Sequence, residues 1–214
     1  LREFPREAEA LYEYDGSVAF DPAWHSLDQE QLDLLEKWVA DEAGGLIVFS
    51  GPVHTQSWTQ LPNMDKIRAL YPVDFEQRLS LLDDGRFGST EPWPVEFNRA
   101  GMEAEFLWLA DTATESSRLW SEFPGVYGYF AVRGAKPTAT VYAHFSDPRA
   151  VGAEGPPVYM AGQFYGAGRV FYLGSGEMWR LRSVDKTELE AFYTKLIRHV
   201  SGARLLSGSS RGTL

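Results

Sequence analysis

The sequence predicts a three-layer α/β domain on a mainly parallel sheet, and three observations predict it. An apolar stretch at Ser17 to Phe20, a helical pattern from Ser26 to Gly44 and an apolar run at Leu46 to Phe49 follow one another. Strand, helix and strand at these distances form a βαβ unit, whose crossover makes the strands parallel. Four further extended segments occupy the second half, and an amphipathic helix closes the chain.

Taken in order, a helical turn around Ala8 to Tyr14 precedes the first strand. In the helix that follows, Leu27, Leu32, Leu34, Leu35, Trp38 and Val39 recur at helical spacing. Ser26 or Asp28 can cap its start, and Gly44 and Gly45 follow its end. Residues 52 to 100 carry Pro52, Pro62, Pro72, Pro92 and Pro94 and no long periodic run. They read as an irregular insertion with a short helix at Met64 to Leu70 and extended backbone near Val73 and Val95. Trp58, Phe75, Trp93 and Phe97 supply apolar surface that needs covering. Tyr127 to Val132, Ala139 to Phe145, Val158 to Phe164 and Arg169 to Leu173 read as strands. The last two, joined by YGAG, form a hairpin, so antiparallel additions are expected near the C-terminal half. From Lys186 to Val200, Leu189, Phe192, Tyr193, Leu196, Ile197 and Val200 share one helix face. Residues 1–204 thus read as one domain and 205–214 as a polar tail.

Composition narrows the function classes. A formal net charge of -10 and a pI near 4.9 disfavour nucleic acid and anionic membranes, which would be repelled. The chain has no cysteine, which excludes disulfides, thiolate metal sites and cysteine catalysis. No apolar run approaches the roughly 20 residues that span a bilayer, so no direct membrane insertion is expected.

Several segments together carry a resemblance: Phe4-Pro5 and Tyr14-Asp15, then LDQEQLDLLEKWVADEAGGLIVFSGP, VYGYFAVRGAKPTATVYAHFSDP and GQFYGAGRVFYLGSGEMWRLR. The chain resembles the glutamine-amidotransferase-like domain of large bacterial membrane-associated proteins, often from planctomycetes, that also carry von Willebrand factor A modules. GRVFYLGSGEMWRLR is the most distinctive part and residues 78 to 92 the least. The resemblance implies a flavodoxin-like, class I amidotransferase-like fold whose first strand and helix lie upstream of Leu1. It also implies that the tail leads into a further module, that the partners are other domains of the same polypeptide, and that the whole is associated with the cell envelope.

A class I amidotransferase needs a cysteine thiolate on a tight turn, a histidine to take its proton and a carboxylate to orient that histidine. Here the turn reads Phe49-Ser50-Gly51-Pro52-Val53-His54, and the later strand end reads Leu173-Gly174-Ser175-Gly176-Glu177. The nucleophile is missing, no histidine occupies the later position, and only Glu177 remains. Ser50, His54 and Glu177 form an alternative set for a hydrolase or transferase, set against the plainer reading of a strand-ending serine and a solvated loop histidine. His25, His54, His144 and His199 lack the spacing of metal ligands on one element, and no cofactor is expected.

The glycines divide in two. Gly166 and Gly168 lie between strands and read as a hairpin turn. Gly174 and Gly176 follow a strand, so a small anion near Arg180 or Arg182 is one reading; structural packing of Trp179, Arg180 and Arg182 is the other. Ser50, His54, Ser175, Glu177, Arg180 and Arg182 are therefore the candidate ligand-binding residues. The aromatic group Tyr127, Tyr129, Phe130 and Tyr142 reads as strand faces. The function expected is a non-catalytic ligand-sensing or protein-interaction module, with the hydrolase and an architectural spacer as alternatives.

Overall fold

The computed structural model describes residues 4–75, 88–152 and 155–211, with side chains described as far as Leu205. In chain order its helices and strands are α1 (Ala8–Tyr12), β1 (Gly16–Phe20), α2 (Gln29–Ala40), β2 (Gly45–Phe49), α3 (Thr55–Thr59) and α4 (Asp65–Leu70). Then come β3 (Val73–Phe75), β4 (Gly88–Trp93), β5 (Val95–Phe97), α5 (Arg99–Glu103), α6 (Ala113–Glu122) and β6 (Val126–Gly128). β7 (Val132–Ala135), β8 (Thr140–Phe145), β9 (Val158–Tyr165), β10 (Gly168–Leu173) and α7 (Lys186–Arg211) complete it.

The βαβ unit forms as its pattern predicts. Asp28 caps α2 through a reciprocal box with Gln31, which satisfies donors that a helix start leaves orphaned. Leu32, Leu35, Trp38 and Val39 turn inward. A Cβ on Gly44 would meet the Trp38 ring at 2.4 Å, so this glycine also admits the indole. β1 and β2 then pair in parallel from Gly16 opposite Gly45 to Phe20 opposite Phe49.

Six strands make the central sheet in the order β1-β2-β10-β9-β8-β5. β1, β2, β10 and β8 run in one direction and β9 and β5 in the other. Only the ladders β1–β2 and β2–β10 are parallel; the remaining three are antiparallel. The sheet is mixed, with the expected β9–β10 hairpin at the change of direction. At its turn Gly166 adopts φ +57°, and a Cβ there would lie 2.3 Å from the Ala40 carbonyl oxygen.

Alternating side chains of the central strands are buried on both faces, which gives three layers. Ile47, Phe49, Phe171 and Leu173 share a core with Phe192, Leu196 and Val200 of α7. Leu46, Val48, Val170 and Tyr172 pack with α2 and with Ile67 and Leu70 of α4.

Four expectations need correction. The segment expected as an irregular insertion supplies β5, an edge strand of the central sheet paired with β8. The strand expected over Tyr127 to Val132 is two, β6 and β7. Between them Tyr129 and Phe130 enter the core, and the Phe130 N–H donates to the Gly174 carbonyl at 2.7 Å. The closing helix runs on to Arg211, through much of the stretch expected as a tail. Its Ile197, expected inward, is exposed, because it lies on the flank of the buried Phe192–Leu196–Val200 stripe. Residues 78 to 87 lie outside the described structure. Among the described residues no helix is long and apolar enough to cross a membrane.

Candidate functional site

Because β1, β2 and β10 are parallel neighbours, their carboxyl ends share one edge of the sheet, the usual place for a ligand in an open α/β fold. The Asp21 N–H donates to the Phe49 carbonyl at 2.8 Å, and the Ser50 N–H to the Leu173 carbonyl at 2.9 Å. The loops beginning at Ser50 and at Gly174 are therefore adjacent, as the sequence suggests.

Asp21 organises the first of these loops. Its carboxylate accepts the N–H of Val53 at 2.9 Å, of His54 at 3.1 Å and of Thr55 at 2.8 Å, together with the Thr55 hydroxyl at 2.7 Å. Thr55 Oγ1 in turn accepts the Gly51 N–H at 3.1 Å. Burial works to raise the Asp21 carboxyl, but the Thr55 hydroxyl and the three amides outweigh it and hold the group below its ordinary value. The approach is close: a Cβ on Gly51 would lie 2.5 Å from Asp21 Cγ. Asp21 itself sits at φ 40°, a left-handed conformation that aspartate tolerates better than most side chains.

Ser50 directly precedes this turn. Its side chain is buried, and among the described residues its Oγ has no hydrogen-bond partner. Tyr172 is its neighbour, though the two hydroxyls fall outside hydrogen-bond geometry. Burial raises the Tyr172 hydroxyl well above its ordinary value, with nearby Ser50 acting in the opposite sense. His54 is half-buried, its ring 6.1 Å from that of His25.

The second loop is tied down by Glu177. Its carboxylate accepts the Tyr127 N–H at 3.0 Å and the Gly128 N–H at 2.7 Å, and pairs with Arg180 Nε at 2.8 Å. Arg180 is also packed over the rings of Tyr127 at 4.4 Å and Trp179 at 4.9 Å. Ser175 is buried, its Oγ 2.8 Å from the Tyr159 hydroxyl. Arg182 is exposed on the same 3-10 turn. Trp58 is buried against Tyr71 and Phe75, whereas Trp179 is exposed.

Among the described residues no hydrogen bond or ion pair joins Ser50, His54 and Glu177. Glu177 directs both oxygens at β6 and Arg180, and Ser50 is buried. Nor do the described histidines and carboxylates make a group of three or more able to hold a metal ion. At this edge Val53, Trp179 and Arg182 are exposed and His54 is half-buried. The sequence reading passed over Asp21; the available signal was an aspartate directly after a strand and before Pro22, with a glycine turn due on the neighbouring strand.

The sequence matches no protein-family profile and no curated protein. Solved structures of similar fold exist. Two are cytoplasmic proteins of Salmonella typhimurium: STM3548, 14% identical with a TM-score of 0.60, and STM1381, 17% identical with a TM-score of 0.59. In both the match covers 92% of this chain and 76% of the other. The mmIFT52 N-terminal domain matches over 92% of this chain and 81% of its own, at 12% identity and a TM-score of 0.51. At such identities the likeness extends to fold alone.

Proposed function

We propose that this chain is a non-catalytic module of flavodoxin-like, glutamine-amidotransferase-like architecture. It recognises a ligand or protein partner at the carboxyl edge of its sheet, as part of a larger, envelope-associated polypeptide. The architecture and the setting are supported by the sequence resemblance.

One observation carries the non-catalytic reading. Asp21 and Glu177, two carboxylates at this edge, are turned onto five backbone amides, a hydroxyl and Arg180. A general base or orienting acid needs its carboxylate aimed at a histidine or a substrate. The rim is of the other kind: Val53 is 66% and Trp179 57% exposed, and an aromatic ring with one wet edge suits a recognition surface.

The test is hydrolysis. Repurified protein is assayed for ammonia release from glutamine and for cleavage of p-nitrophenyl acetate, beside Ser50→Ala. Rates equal to buffer for both proteins are expected; turnover that disappears in Ser50→Ala would overturn the proposal.

A further inference from the structure

The four histidines are scattered along the chain, but the fold brings two of them together. The rings of His25 and His54 lie with centroids 6.1 Å apart and planes tilted by 49°, in the loops that follow β1 and β2 at the carboxyl edge. His25 is exposed and His54 half-buried. Among the described residues no hydrogen bond or ion pair engages either ring, so each neutral imidazole keeps a lone pair to offer. The other two histidines are placed elsewhere. His144 stands opposite Glu96 in the β5–β8 ladder, and His199 is stacked on Phe106.

Both rings stand on clamped backbone. His25 is the middle residue of a 3-10 turn, Trp24–Ser26. Trp24 is buried and its Nε1–H donates to the Tyr71 hydroxyl at 2.9 Å, while the Ser26 N–H closes the turn on the Ala23 carbonyl at 2.8 Å. The His54 N–H donates to Asp21 at 3.1 Å, and the His54 carbonyl accepts the Ser57 N–H at 3.0 Å. Asp21 thus holds the His54 loop and leads through Pro22 into the His25 turn. Backbone fixed in advance lowers the entropic cost of gathering two side chains on one ligand.

Two adjacent imidazoles are what a transition-metal cation takes. Zn–N bonds of about 2.0–2.1 Å at a tetrahedral angle set two ring centroids about 5 Å apart, against 6.1 Å here. Small side-chain rotations close that difference. A hard cation such as Mg²⁺ or Ca²⁺ wants oxygen donors instead. Asp21, the carboxylate tied to this loop, has both oxygens taken by amides and the Thr55 hydroxyl. With no cysteine in the chain, imidazole is the donor left, and it suits zinc, nickel and copper. The net charge of -10 draws cations to the surface.

We infer that His25 and His54 together chelate a first-row transition-metal cation, Zn²⁺ among them. Two protein ligands leave coordination positions open. The ion is therefore exchangeable, and its free positions take water or an oxygen or nitrogen donor of a molecule bound at this edge. The site does not rest on the recognition reading, because ion uptake is measured with the protein alone.

The test is titration of the metal-free chain with Zn²⁺, followed by calorimetry and by NMR of the imidazole protons. Uptake of one ion per chain is expected, with the His25 and His54 resonances shifting together and those of His144 and His199 unmoved. His25→Gln and His54→Gln should each lower the affinity at least about 10-fold, because the second donor no longer adds intramolecularly, whereas His144→Gln should leave it unchanged. Cu²⁺ should bind more tightly than Zn²⁺, and excess Mg²⁺ should not compete. No saturable uptake, affinity that survives either substitution at the pair, or displacement by Mg²⁺ would overturn the inference. If a variant fails to fold, the unaltered protein decides: shifts confined to one histidine, or to neither, would overturn it as well.

Discussion

The Asp21 carboxylate accepts both donors of Thr55, the backbone N–H at 2.8 Å and the hydroxyl at 2.7 Å. Through this pair the residue that follows β1 holds the loop that leaves β2, at the carboxyl edge of the sheet. Because Val53 and His54 donate to the same carboxylate, the loop is anchored by its backbone. Of the loop's side chains only that of Thr55 joins this anchor; Val53 and His54 contribute their backbone N–H groups.

Asp21→Ala should lower the unfolding free energy by about 1–3 kcal/mol, as loss of a charged cap with several amide donors does. Asp21→Asn, which keeps one acceptor and tolerates the positive φ, should cost less. The effect depends on pH. Since the folded carboxyl titrates below its ordinary value of 3.8, its contribution is fully present above that pH and is lost as pH falls through the lower folded value. Urea denaturation at pH 7 and pH 3 measures this, and a gap between parent and Asp21→Ala that widens in acid would contradict it.

His199 gives a second pH signature, in a different window. Its ring stacks on Phe106 at 3.7 Å, and Arg169 Nη1 donates to its carbonyl at 2.9 Å. Burial first, and the Arg169 charge second, push its pKa down from 6.5 to about 4. The unfolded chain therefore takes up this proton at higher pH than the folded one. Stability from the neutral ring is complete above pH 6.5 and falls away from there towards pH 4. NMR titration should place His199 near 4, and His199→Phe should flatten stability between pH 6.5 and 5; a midpoint near 6.5 would refute the assignment.

Two glycines should respond to alanine in opposite ways. Gly166 holds φ +57° against the Ala40 carbonyl, so Gly166→Ala should destabilise by about 2 kcal/mol or more. Gly202 lies within α7 with nothing within 4 Å of an added Cβ, so Gly202→Ala should stabilise by up to about 1 kcal/mol. Thermal unfolding of the pair measures both, and matching shifts would contradict the backbone argument.

The sequence made the βαβ unit, the β9–β10 hairpin and the closing helix legible, because each rests on local periodicity and punctuation. Leu32, Leu35, Trp38 and Val39 declare the inner face of α2, and Gly166 the turn. The role of β5 was hidden, since a three-residue strand among prolines has no periodicity and its pairing with β8 spans roughly fifty residues of chain. In the site, the adjacency of Ser50 and Gly174 could be read from strand order. The hold of Glu177 on Tyr127 and Gly128 could not, because it joins backbone amides that carry no sequence signal. Ile197 misled for a related reason: one apolar residue on a helix flank looks like core until the packing around it is known.

The central claim is that the carboxylates at this edge are internal ties and that the rim around them is free for recognition. Its most direct measurement is the unfolding free energy of Glu177→Ala beside Val53→Ser and Trp179→Ser. Removing Glu177 leaves the Tyr127 and Gly128 amides and Arg180 without their acceptor, which should cost about 2–4 kcal/mol, while each rim substitution should stay within about 0.5 kcal/mol. A Glu177→Ala protein as stable as its parent, or rim variants that lose as much as Glu177→Ala, would contradict the account.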